Sequence, residues 1–460
     1  MARGLGVLLH ITSLPGKQGI GCFSAEARKF VDFMQKAGLK YWQVLPFCPT
    51  SADWGNSPYA PLSVFAGNPL FIDLLEFLDP AEIKKYKLDT EDAQVDFELV
   101  ICNKAKALRD IYKSGFDKAE FENFKKLHWW AEPFAEWMSK KFGDEKDFHL
   151  FTQMIFFRQW SALKKYANER GIFIIGDMPF YVPFDFFDVQ TNPDVFLTKD
   201  GRQQGVGGAP PDSFNPAGQN WGTTLYDFKK QKNNNYKWWC DRVASSCNLF
   251  DISRIDHFRA FDYFYKISSE DADPREGEWE KGPGFEIFNA IKTAVPGARL
   301  VLEDLGGEGA ESVQRLRKKV GSPGMRVLQF AFDYAANYHL PENFEEDCVA
   351  YPGTHDNNTF VGFLNEAKPS VRQRVDEYFQ SRNLGAEEIT GLALERLAQS
   401  RARLVVVAIQ DFLLQDEKFR MNRPGIGTGQ WGYRMPADCL TDKLAARIRK
   451  LARDSGRMQD

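Results

Sequence analysis

The stretch ISRIDHFRAF, Ile252 to Phe261, decides how this chain is read. It begins as a strand would, then packs two arginines, an aspartate and a histidine between apolar neighbours. Charge buried in a sheet costs several kcal/mol unless it is paired. One place suits such a strand: a closed parallel sheet, where the carboxyl ends of the strands form an active site. Arg254 and Asp256 are two residues apart, so a strand turns both side chains to one face. An arginine there favours the ionised carboxylate and fixes its orientation.

Seven other runs share this apolar start and polar finish. They are GVLLHITS (6–13), YWQVLPF (41–47), IFIIGDMPF (172–180), RLVLEDLG (299–306), MRVLQFAF (325–332), CVAYPGTHD (348–356) and RLVVVAIQDF (403–412). Near-continuous apolar character marks strands covered on both faces. Helical patterns lie between them, such as SAEARKFVDFMQKAG with Ser24 as N-cap and Gly38 as stop. Eight runs with intervening helices predict an α/β fold of the (β/α)8 TIM-barrel type. An open doubly wound sheet is the alternative, but no GxGxxG follows the first run.

Residues 1–460 are read as one barrel with two insertions at the C-terminal face of the strands. The first, about 75–150, has helical patterns. The second, about 181–228, is rich in Gly, Pro, Asn and Asp, and a loop of that length is usually functional. After the eighth run only a short helix is expected, about 440–453, and no C-terminal β domain.

The net charge of −4 gives no pull toward nucleic acid or an anionic membrane. No run approaches the roughly 20 apolar residues of a membrane span. His10 interrupts the short apolar run at the start, which reads as a mature cytoplasmic N-terminus. Seven cysteines at scattered spacings favour reduced thiols over a disulfide framework or a zinc site.

The polar run ends carry the chemistry: His10, Asp177, Arg254 with Asp256 and His257, Glu303 with Asp304, and His355 with Asp356. An ionised Asp and a Glu of raised pKa on successive strands form the carboxylate pair of glycoside chemistry.

The ordered motifs NSPYAPLSVFAGNPLFIDL, IIGDMPFYV, GAPPDSFNPAGQNWGTTLYDF, RIDHFRAF, LVLEDLG, PGMRVLQFAF and GTHDNNT resemble glycoside hydrolase family 77, the 4-α-glucanotransferases of the α-amylase clan. The resemblance runs almost end to end. It implies Asp256 as nucleophile, Glu303 as acid/base and Asp356 as the third carboxylate. It implies a substrate shell of Tyr59, Asp177, Arg254, His257 and His355, with Gln219 and Trp221 on a loop over the cleft. It also implies retaining transfer of α-1,4-glucan segments between maltooligosaccharides, amylose or glycogen-type glucans and glucose, with no cofactor or metal. Trp54, in DWGNSPY, is a candidate exposed glucan-binding ring, with packing on the helical insertion as the alternative. Ala260, Thr223 and Gln430 depart from the usual family pattern of Gly, Pro and Asn. An α-amylase-like hydrolase is the runner-up. A metal-dependent hydrolase lacks an HxH or HExxH, and a non-catalytic glucan binder would have no use for three intact carboxylates.

Overall fold

The computed structural model describes residues 1–88, 94–211, 217–268, 273–305 and 310–458. Eight parallel strands form the centre: β1 Gly4–Leu8, β2 Tyr41–Gln43, β3 Phe173–Met178, β4 Ile252–Ile255, β5 Leu300–Leu302, β6 Gly324–Val327, β7 Cys348–Tyr351 and β8 Leu404–Ala408. Each falls at the start of one of the eight apolar runs. Their order in the sheet is β5-β4-β3-β2-β1-β8-β7-β6. The Leu302 N–H donates to Pro323 O at 2.9 Å, which draws β5 to the chain entering β6 and closes the barrel.

The polar finish of the run that opens with Ile252 is not strand. β4 stops at Ile255, and His257 follows in the left-handed region at φ 45°. A 3-10 turn over Phe258–Phe261 then buries its four residues. Helices pack outside the barrel. Ser24 caps Ala25–Lys36 by accepting from Glu26 N, and Gly38 at φ 72° ends that segment. The side chains between layers are largely aromatic, with Phe47 edge-on to Trp160 at 4.6 Å and to Phe250 at 5.1 Å.

Between β2 and the long helix Lys146–Asn168 lie helices Phe97–Ser114, Lys118–Leu127 and Ala131–Phe142. The segment after β3 contains short strands at Val182–Pro183, Val206–Ala209 and Gln219–Thr224. These join a hairpin of Tyr263–Ile267 and Glu278–Lys281 in one antiparallel sheet over the barrel mouth. The hairpin follows directly on β4 and was not expected from the sequence. A helix over Asp442–Asp454 packs beside Ala25–Lys36.

Candidate active site

The register of the sheet builds the site from its floor. Asp177 on β3 and Val301 on β5 are the lateral partners of Arg254 on β4. Ser253 turns outward, where its hydroxyl meets Ser246 at 2.7 Å. Arg254 therefore points into the barrel. Its Nη1 donates to both oxygens of Asp177 at 2.6 Å, and both side chains are almost fully buried. The same Nη1 reaches Asp256 at 3.1 Å, while Nη2 lies 3.2 Å from Glu303. One guanidinium thus touches three carboxyl groups.

The expected contact of Arg254 with Asp256 is present, but Arg254 is shared and Asp177 takes its closest contacts. Burial, reinforced by Glu303 and opposed by Arg254, pushes the Asp256 carboxyl well above the usual range. Burial also raises Glu303, with Arg254 and the His257 N–H opposing. That N–H donates to Glu303 Oε2 at 2.5 Å. The left-handed turn at His257 places the amide there. Asp256 and Glu303 are therefore linked through Arg254, and their titrations depend on one another.

The opposite wall comes from β7, the segment after β8, and Tyr59. Tyr59 donates to Asp177 Oδ2 at 2.9 Å and stacks on His355 at 4.9 Å and 14°. Trp431 tilts over both rings, at 5.7 and 6.1 Å. His355 Nε2 lies 3.2 Å from Asp356 Oδ2. Asn422 donates to Asp356 Oδ1 at 2.6 Å, and Arg420 donates to the Asp356 carbonyl at 2.7 Å. Burial works against this carboxylate, but His355 and Asn422 outweigh it and hold Asp356 at about 2.

Trp221 forms the roof. Its ring stands perpendicular to His257 at 5.0 Å, and its Nε1 donates to Gln219 Oε1 at 3.1 Å. Among the described residues, three buried polar atoms near this roof have no hydrogen-bond partner: His257 Nε2, Tyr181 Oη and Thr223 Oγ1. Burial, with Arg259 nearby, lowers His257 to about 3, so its ring is neutral. Residues 212–216 of the expected covering loop lie outside the described residues.

Three candidates are placed differently from expectation. Trp54 is half-buried rather than exposed. It sits edge-on to Phe186 at 6.3 Å and beside Gly222, next to the roof strand and not on the helical insertion. Asp304 turns away from its neighbour Glu303. It accepts from Met325 N at 2.7 Å and pairs with Arg317 at 3.0 Å, a structural role. His10 is likewise structural: Nδ1 accepts from Leu45 N, and burial lowers it to about 3. Sequence reading missed Arg420, Asn422 and Trp431, which come from a segment without periodicity.

The sequence matches the family described as 4-alpha-glucanotransferase, glycoside hydrolase family 77, over residues 9–146 and 138–441. The chain belongs to that family. A 4-alpha-glucanotransferase of Clostridium butyricum is 35% identical, spanning 98% of this chain and 100% of that protein. One of Thermus thermophilus is 36% identical over 100% of both. Among solved structures, an amylomaltase of Streptococcus agalactiae in complex with acarbose superposes with a TM-score of 0.93 at 31% identity. It covers 99% of this chain and 100% of that one.

Each of the three departures from the family pattern is accommodated locally. Ala260 is fully buried in the 3-10 turn after β4. Thr223 pairs with Pro183 at the base of the roof strand. Gln430 accepts from Arg423 N at 2.7 Å and donates to Thr428 O at 3.0 Å, so its side chain closes its own loop.

Proposed function

We propose that Asp256, Glu303 and Asp356 make this chain a 4-α-glucanotransferase working by retaining double displacement. The observation that carries the reading is the convergence of Asp256 and Glu303, with Asp177 beneath them, on the single guanidinium of Arg254, on a chain of this family. Asp256 attacks the anomeric carbon of an α-1,4-glucan donor while Glu303 gives its proton to the departing 4-oxygen. The glycosidic C–O bond breaks as the Asp256–glucosyl ester forms. Glu303 then takes the proton from the 4-hydroxyl of an acceptor, which attacks the ester and frees Asp256. The raised Glu303 carboxyl suits this exchange, since it favours the acid form that the leaving oxygen needs.

Asp356 stays ionised and accepts from sugar hydroxyls, bonds that strengthen as positive charge develops in the ring. Tyr59 offers a face to the donor sugar, while Arg254 and Asp177 hold the floor. His355 holds Asp356. His257 Nε2, under Trp221, is free for a sugar hydroxyl. Gln219 orients Trp221, and Trp54 adds apolar area for longer chains. The substrates are maltooligosaccharides and amylose or glycogen-type glucans, with glucose as an acceptor.

Transfer has to outrun hydrolysis. Water at roughly 55 M against ~1 mM acceptor demands a preference of about 10⁴ to 10⁵, or about 6–7 kcal/mol. Positioning in acceptor subsites can supply this, since effective molarities reach about 10⁵ M or more. With maltotriose the protein should release glucose at constant total reducing ends. Reducing ends that rise in step with glucose would overturn transfer in favour of hydrolysis.

A further inference from the structure

We infer that Asn422 and Arg420 are positioning residues for Asp356, so that the loop after β8 sets the third carboxylate together with His355. The inference rests on the reading of Asp356 above. Strand β7 ends at Tyr351, and Asp356 follows in an irregular segment with 44% of its side chain exposed. Local support comes from its own N–H, which donates to Thr354 Oγ1 at 3.3 Å, and from the adjacent His355, whose Nε2 lies 3.2 Å from Oδ2.

The stronger contacts come from across the sequence. Asn422 is only 8% exposed, so its amide is itself fixed by packing. Its Nδ2 meets Asp356 Oδ1 at 2.6 Å and leaves the outer part of the carboxylate open to the mouth. Arg420 joins the two segments. It donates from one nitrogen to the Asp356 carbonyl at 2.7 Å and from Nε to the Asn422 carbonyl at 2.5 Å. An amide donor and a carbonyl brace fix direction without adding a second charge on the carboxylate.

The loop carrying them is itself tied to the cleft. Trp431 N donates to Met421 O at 2.9 Å, next to Asn422, and the Trp431 ring rests on Tyr59 and His355. Gln430 clasps Arg423. Gly55, at φ 60°, lies directly under the Gly427 carbonyl, where a Cβ would come within 2.1 Å. The aromatic wall and the carboxylate orientation are therefore set by one closed loop.

The test compares the parent with Asn422→Asp and Arg420→Met on maltotriose, following kcat, KM, pH profile and melting temperature. Asn422→Asp keeps the shape but puts a second carboxyl against Asp356, so one of the two retains a proton. Its kcat should fall about 10- to 100-fold with KM within about threefold. Its acid limb should move to higher pH by more than one unit. Arg420→Met should lower kcat about tenfold without moving either limb, since no titrating group faces Asp356 anew. An unchanged acid limb and kcat in Asn422→Asp would overturn the inference, as would losses that only track melting temperature. If Asn422→Asp fails to fold, Arg420→Met decides through its kcat. A parent inactive on maltotriose would overturn the glucanotransferase reading and the inference with it; an active parent isolates the inference.

Discussion

The two halves of the barrel mouth hold acidic groups in opposite states. On the β3–β5 side, Asp256 and Glu303 are half-buried around one shared guanidinium, and partial burial raises both. On the β7–β8 side, Asp356 is open to the mouth and is held at about 2 by His355 and Asn422. Burial favours the protonated forms in the first half, whereas His355 and Asn422 favour the charged form in the second. The difference follows from the source of the hydrogen bonds. Asp256 and Glu303 share Arg254 with Asp177, which takes its shortest contacts, whereas Asp356 has donors of its own.

The largest effect should come from the first half. Asp256→Asn removes the nucleophile and should cost about 10⁴-fold or more in transfer with the fold retained. A folded variant at a tenth of the parent rate would rule out that role. Asp356→Asn should also be severely slowed, yet without moving either limb of the pH profile, because Asp356 is ionised across the working range. A limb that shifted in Asp356→Asn would break the division between the halves.

A smaller effect is expected at the roof. Trp221→Ala should reduce transfer more than hydrolysis, by about 5- to 150-fold if ring–sugar stacking resembles base stacking at roughly 1–3 kcal/mol. The ratio of free glucose to new reducing ends measures this. A constant ratio with a lower melting temperature would mean that Trp221 only plugs the hairpin.

The smallest effect lies behind Asp356. Asp411, buried next to β8, accepts from Phe360 N at 2.7 Å, and burial raises it to about 7. A raised carboxyl favours the folded state while protonated. That contribution is complete below the unfolded value of about 4 and is lost as pH rises through about 7. The parent should lose several degrees of melting temperature across that window, and Asp411→Asn should lose less. Equal slopes would contradict the assignment.

The barrel and its acidic ring were legible because an apolar run ending in charge fits a strand of a closed parallel sheet and little else. Arg254 and Asp256 could be put on one face from their spacing alone. What escaped was set by contacts distant in sequence. Nothing local separates Glu303 from Asp304; Arg317 and Met325 decide that Asp304 turns away. Spacing also does not reveal that Asp177 competes with Asp256 for the same arginine. Asn422 and Trp431 lie in an aperiodic loop whose shape depends on Tyr59, His355 and Gly55. The hairpin after β4 was hidden because the run appeared to continue through His257, where the backbone turns left-handed.

The most direct test of the carboxylate division uses Glu303→Gln with an α-glucosyl fluoride donor. Fluoride departs without a proton, so the first displacement should proceed while the second, which needs a base, stalls. Intact-protein and peptide mass spectrometry should then find a glucosyl ester on Asp256. Fluoride release with no adduct, or an adduct on any other residue, would contradict the roles given to Asp256 and Glu303.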